Sequence, residues 1–214
     1  MKSLRKLLEL LGAVGLGCMG LVIGPAPSTA ADSQAVKLIP ASREAIALRE
    51  KSLAAKAPKG AKLVAYLDCG TQRESTAAGK VKIACVSGQP YRFPLEAPGD
   101  FPTQATIFFD AERVVFEISG LDRTRRYLAG MTWWDYDNGS RTQSVLVGSP
   151  DRRLVRLAVP AIRLPNHKVS KQPPAERRFQ LPVVFAQEGK LRLVVERIDG
   201  ANAVISELWI WQLD

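Results

Sequence analysis

Histidine is almost missing from this chain of 214 residues. His167 is the only one, and there are three cysteines. That scarcity argues against a metal centre, which needs several imidazole or thiolate ligands brought together. No Gly-x-Ser-x-Gly elbow is present, and no Gly-rich phosphate loop or dinucleotide fingerprint. Carboxylates are available at Asp110, Glu112, Glu117, Asp135 and Asp137, but their spacing selects no acid/base pair. A catalytic role is therefore not indicated, and no cofactor or metal is expected. Helical periodicity is also scarce, and neither an internal repeat nor a low-complexity tract occurs.

Acidic residues are outnumbered, 21 against 30 Lys and Arg, for a formal charge of +9. The first 31 residues hold Lys2, Arg5, Lys6 and Glu9, a net +2, which leaves +7 for the remainder. The cations are spread out, with short clusters at Arg123/Arg125/Arg126, Arg152/Arg153/Arg156 and Arg177/Arg178. Such scatter reads as a solvated basic surface. Without a helix-turn-helix, zinc-finger or RNA-binding signature, no nucleic-acid partner is expected.

The N-terminus has the layout of a secretory signal peptide, residues 1–31. A cationic start (Met1–Lys6) precedes an apolar run from Leu7 to Gly24, then Pro25 and the small residues Ser28-Thr29-Ala30-Ala31. The run is short for a membrane helix and carries Glu9, so no membrane span is expected after cleavage. Gly15 stands where a lipobox has an aliphatic residue, which argues against lipidation of Cys18. The expected location is periplasmic or extracellular. Removing the leader leaves Cys69 and Cys85, an even number in an exported chain, and a disulfide between them is expected. Closing a loop of about 15 residues would contribute roughly 3 kcal/mol.

Residues 32–61 are expected to be a linker with one short helix. Ser42 is a good N-cap for residues 42–57 (SREAIALREKSLAAKA), and Pro58-Lys59-Gly60 ends the run. Its apolar face is mostly alanine, with Ile46, Leu48 and Leu53, so weak packing or a spacer role is expected. From Lys62 the texture becomes short β-rich runs between turns. Candidate strands are 62–68, 80–86, 104–109, 112–118, 126–134, 141–147, 153–159, 180–185, 190–197 and 203–211. In the ninth, Leu191, Leu193 and Val195 share one face, and Arg192 and Glu196 the other. Ten short strands point to an all-β, antiparallel jelly-roll β-sandwich over 62–214. Residues 87–103 (four prolines, three aromatics) and 164–179 read as long rim loops, with His167 exposed in the second.

The most informative stretch is Tyr127–Val147 (YLAGMTWWDYDNGSRTQSVLV). Asn138-Gly139 between two β-rich arms is a strong hairpin signal. Adjacent strand residues face opposite sides, so Trp133 and Trp134 are expected to separate. One should fill the interior, and the other should lie outside or under a loop. The spacing Asp135-x-Asp137-Asn138-Gly139 allows a Ca²⁺ loop but lacks the distant Glu of an EF-hand, and a plain turn is favoured.

From about Val64 onward the pattern resembles the malectin-like and galactose-binding-like β-sandwiches, which occur as carbohydrate-binding modules. The resemblance rests on Leu67-Asp68-Cys69-Gly70, on the segment Val115–Asp122 followed by Arg126-Tyr127, on Thr132–Asp137 with Arg141–Val147, and on Gly189–Leu193 with Asn202–Ile210. It implies sugar binding at loops on one rim. Aromatic faces suit pyranose C–H surfaces, and planar polar groups suit paired hydroxyls. The candidate ligand-binding residues are Trp133, Trp134, Asp135, Tyr136, Asp137 and Arg141. The expected function is an exported, non-catalytic carbohydrate-binding module whose partner is a glycan or polysaccharide, acidic ones included. The alternatives are an extracellular or envelope protein-interaction domain and, behind it, a small polysaccharide-active enzyme.

Overall fold

Alternating patterns of the kind seen in 190–196 have one stable use, a sheet with one face on a core. The structure, a computed structural model, describes residues 38–39, 42–76, 79–93, 102–151, 155–170, 174–186 and 188–214. The signal-peptide reading of 1–31 and residues 32–37 and 40–41 of the linker fall outside these residues. The described residues belong to one compact unit, Ala35–Asp214.

A helix, α1 (Arg43–Ala55), precedes twelve strands: β1 (Lys62–Asp68), β2 (Lys82–Ser87), β3 (Gln89–Arg92), β4 (Thr106–Asp110), β5 (Arg113–Ser119), β6 (Arg126–Trp133), β7 (Thr142–Gly148), β8 (Val155–Arg163), β9 (Ala175–Gln180), β10 (Lys190–Asp199), β11 (Ala203–Ile205) and β12 (Glu207–Leu213). Two single-turn helices intervene, α2 (His167–Ser170) and α3 (Val183–Ala186), and a 3₁₀ turn spans Pro102–Ala105.

Strand order is β1-β12-β6-β9 in a four-stranded sheet, β2-β5-β10-β7-β8 in a five-stranded sheet and β11-β4-β3 in a small third sheet. Every pairing is antiparallel. The chain is thus an all-β sandwich. One core joins Ala129, Met131, Leu208 and Ile210 of the first sheet to Phe116, Ile118, Leu193, Val145 and Val147 of the second, all fully buried.

Three expectations need correcting. The Tyr127–Val147 stretch is not a hairpin. β6 pairs with β12 and β9 while β7 pairs with β10 and β8, so the segment between them crosses from one sheet to the other. A type I′ turn needs positive φ at both central residues. Here positive φ falls on Asn138 (65°) and Ser140 (55°).

The segment 180–185 is not a strand. Pro182 offers no N–H to a ladder, and its carbonyl instead accepts from the N–H of Phe185 to start α3. The strand is the preceding AERRFQ, β9, inside what read as a loop. It is an edge strand, and exposed charges such as Arg177 and Arg178 are normal on an edge.

Nor is α1 a weakly packed spacer. Ser42 caps it, its Oγ accepting from the Ala45 N–H at 3.2 Å, and Ile46, Arg49 and Leu53 are buried. The helix covers the outer face of the four-stranded sheet, where Ile46 and Leu53 share a second apolar cluster with Tyr66, Trp209 and Trp211. The Trp211 indole N–H donates to the Leu53 carbonyl at 3.2 Å. Arg49 reaches Glu207 on β12 with Nε and Nη2, both at 2.8 Å. Glu207, fully buried, also accepts from Tyr66 OH (3.0 Å), Thr103 Oγ1 (2.8 Å) and Thr132 Oγ1 (2.7 Å).

Candidate functional site

β6 puts Tyr127, Ala129, Met131 and Trp133 on its inner face, and all four are buried in the main core. The strand ends at Trp133, and with it the alternation that would have sent the next side chain outward. Trp134 turns in as well. It is fully buried in the same core, its indole N–H donating to Ser206 Oγ at 3.1 Å. The expectation that the two tryptophans separate is corrected: strand geometry governs only the first of them.

Past Trp134 the chain closes into a polar knot. Asp135 is buried, and its Oδ1 accepts from the Gly139 N–H (2.8 Å) and from Arg141 Nη1. Its backbone N–H donates to the Pro165 carbonyl, and its own carbonyl accepts from the His167 N–H at 3.0 Å. Arg141, only 3% exposed, also bonds Asn202 Oδ1 through Nε (2.7 Å) and pairs with Asp137. A Cβ on Gly139 would meet the Arg141 guanidinium, so a larger residue here would have to displace that side chain. Asp135 and Arg141 thus brace the crossing between sheets, a role that burial and saturation of their polar atoms make structural. Asp137 differs. Its side chain is 56% exposed, and the hydrogen bond from Arg141 holds its carboxyl below the usual carboxylate range.

Tyr136 is buried within an aromatic ladder. Its ring stacks on Phe93 (4.0 Å, 21°) and on His167 (5.8 Å, 12°), and meets Trp134 edge-on at 4.7 Å. His167, expected in solvent, is half-buried and also packs edge-on against Trp134 at 5.3 Å. The ladder continues from Phe93 to Tyr91 (5.4 Å, edge-on), whose ring is 45% exposed. Tyr91 and Phe93 lie in the Pro- and aromatic-rich segment 87–103. The density of aromatics was the available signal; their junction with 133–141 depends on β3–β4 pairing and was not legible. Tyr91, Arg92, Asp137 and Asn138 are thus exposed to solvent, while Trp133, Trp134, Asp135, Tyr136 and Arg141 are buried.

The expected disulfide is not formed. Cys69 and Cys85 are free, buried thiols. Cys85 Sγ accepts from Arg73 Nη1 at 3.6 Å and lies 3.5 Å from the Ser87 carbonyl. Burial raises the Cys69 thiol well above its ordinary pKa and pushes Cys85 up to about 11, so neither is a thiolate at neutral pH. Burial likewise pushes the Asp68 carboxyl up to about 7; it accepts from Thr71 Oγ1 (2.8 Å) and Thr106 Oγ1 (2.9 Å). Among the described residues no cluster of three or more His, Cys, Asp or Glu is placed to hold a metal ion. No helix among them is long and apolar enough to cross a membrane.

No protein-family model matches the chain, and no curated protein matches it. Solved structures do align with it. A β-glucuronidase from Bacteroides uniformis aligns at 11% identity and TM-score 0.44, over 63% of this chain and 14% of that one. The ANX1 ectodomain from Arabidopsis thaliana aligns at 8% identity and TM-score 0.47, over 72% of this chain and 49% of that one. The ANX2 ectodomain from Arabidopsis thaliana aligns at 10% identity and TM-score 0.46, over 72% of this chain and 50% of that one. The chain thus spans about a seventh of the glucuronidase and half of each ectodomain. At these values function rests on the residues.

Proposed function

We propose that the chain is an exported, non-catalytic binding domain that takes a glycan at the rim where β3 meets the 135–140 crossing. The observation that carries this reading is Tyr91. It is a half-exposed ring at the open end of the ladder through Phe93, Tyr136 and His167, and the exposed carboxylate of Asp137 follows Tyr136 in the chain. A buried ladder fixes the exposed ring, so little side-chain freedom is lost when a ligand stacks on it. Asn138, exposed beside Asp137, supplies a planar polar group. Trp133, Trp134, Asp135, Tyr136 and Arg141 serve this site from beneath, by holding its shape. Export follows from the layout of residues 1–31.

The test is a glycan array and polysaccharide pull-down with the secreted protein, beside Tyr91→Ala and Asp137→Ala. We expect retention of at least one glycan class and a loss of at least about tenfold in affinity for Tyr91→Ala. No retained glycan, or affinity unchanged in both variants, overturns the reading. A protein-interaction role is the second reading, favoured by the apolar outer face of the five-stranded sheet.

A further inference from the structure

The outer face of the five-stranded sheet breaks the rule that such faces are polar. Cross-strand partners in an antiparallel sheet point to the same side. Val115 of β5 is registered with Val194 of β10, Val194 with Leu146 of β7, and Leu146 with Leu157 of β8. Val86, in the bulge beside the Val115 partner Ser87, extends the row onto β2. One aliphatic side chain from each strand therefore crosses the whole sheet, and Val86 and Leu157 are 55% and 60% exposed. The middle of the stripe, Val115, Val194 and Leu146, floors a depression of about 290 Å³ that Arg113, Val155 and Arg192 also line.

Charges flank the stripe in a fixed pattern. On one side Arg113 of β5 is registered with Glu196 of β10; on the other, Glu117 of β5 with Arg192 of β10. Along each strand the sign reverses across the stripe, and along each row it reverses between strands. The four charges sum to zero, and Lys190, 3.9 Å from Glu117, flanks them as a further cation. A two-by-two alternation has a further property: turning it over about a two-fold axis in the plane of the face sets every arginine opposite a glutamate. Of the two such axes, the one across the strands faces each of the five strands with its own copy; one along the strands, between β5 and β10, would leave β8 and Leu157 outside the overlap. A surface complementary to itself is the requirement for an isologous dimer.

We propose that this face is a self-association surface, and that two copies of the chain pack sheet to sheet through the Val86–Leu157 stripe with the Arg/Glu quartet setting register. Five strands about 4.8 Å apart, over some 20 Å of strand length, offer roughly 500 Å² per copy. The pair buries about 1,000 Å², the lower end of specific interfaces, so the dimer is weak and concentration-dependent.

The experiment is sedimentation equilibrium of the secreted protein from about 1 µM to about 500 µM, the range such an interface demands. The wild type is expected to shift from monomer to dimer. Leu157→Glu, at an exposed edge-strand position, should weaken association at least about tenfold, and so should Glu117→Arg and Arg192→Glu singly. An equimolar mixture of those two charge variants reports the axis. With the axis across the strands Glu117 faces Arg113 of the other copy, so the mixture stays weak; a mixture that associates like wild type would set Glu117 opposite Arg192 and overturn the five-strand packing. Circular dichroism confirms that each variant is folded. A wild type that is monomeric throughout, or a dimer insensitive to all three substitutions, overturns the proposal. So does a monomer whose Leu157 face is instead protected by a glycan or another protein. Glycan retention by Tyr91 is read separately, so either proposal can fail without the other.

Discussion

The two sheets of this sandwich each turn an apolar outer face away from the shared core, and the chain treats them differently. On the four-stranded sheet, Tyr66, Trp209 and Trp211 are fully buried because α1 lies across them. On the five-stranded sheet, Val86, Val155 and Leu157 are more than half exposed, and no described element covers them. The covered face is also tied down by a buried ion pair, and the open face carries a neutral charge quartet of the kind that can pair with another surface. Aliphatic side chains on an outer sheet face signal a partner, which here is built into the chain on one side and comes from outside it on the other.

The strongest way to break this comparison is to cut the tie on the covered face. Glu207 is the acceptor for Arg49, Tyr66, Thr103 and Thr132 at once, beneath the surface. Glu207→Ala strands a buried guanidinium and three hydroxyls, and is expected to cost about 3–5 kcal/mol in denaturant unfolding. Replacing Arg49 and Glu207 together by Met and Leu should cost much less, because no charge is left unpaired. If the double change is as damaging as the single one, the pair is more than a mutually neutralising plug and the account of α1 is wrong.

A smaller effect comes from Asp68, in the same region. Its folded pKa of about 7 lies above the ordinary value near 3.8. Between those values the folded chain keeps a proton that the unfolded chain releases, so stability falls as pH rises, by up to about 1.4 kcal/mol per unit from this group. Its favourable contribution is complete at more acidic pH and is lost once pH passes 7. Asp137 has the opposite sign: its lowered pKa adds stability that is lost only as pH falls into the acidic range. Unfolding curves from pH 4.5 to 7.5 should therefore slope downward in wild type and flatten in Asp68→Asn. Equal slopes would show that Asp68 is already ionised when folded.

Much of the fold was legible because periodicity reports burial. Leu191, Leu193 and Val195 lie in the core as their alternation implies, and nine of the ten expected segments hold strands. The misreadings share one cause, which is that local chemistry does not say which sheet a strand joins. Asn138-Gly139 looks the same whether the chain turns back on its neighbour or crosses a sandwich. Trp134 looks like a strand residue until the strand is seen to end one position earlier. Arg49 looks like a solvated helical cation until Glu207, 158 positions away, is brought beneath it. The rim site was legible as two aromatic-rich segments, 87–103 and 133–141, and illegible as their contact.

The difference between the two outer faces can be read at two leucines, the exposed one with the smallest expected effect. Leu53 and Leu157 are the same residue type on the outer sides of the two sheets, one 0% and the other 60% exposed. Leu53→Ala removes a side chain that α1 packs onto Trp209 and Trp211 and should cost about 2–5 kcal/mol. Leu157→Ala, measured at low micromolar concentration where the chain is monomeric, should change stability by no more than about 0.5 kcal/mol. At several hundred micromolar the Leu157 penalty should grow, because the dimer stabilises the folded state by mass action and the variant loses that contribution. A concentration dependence at position 157 with none at position 53 would show that one leucine is covered by its own chain and the other by a second copy. A Leu157 effect independent of concentration would mean that its surroundings lie wholly within one molecule.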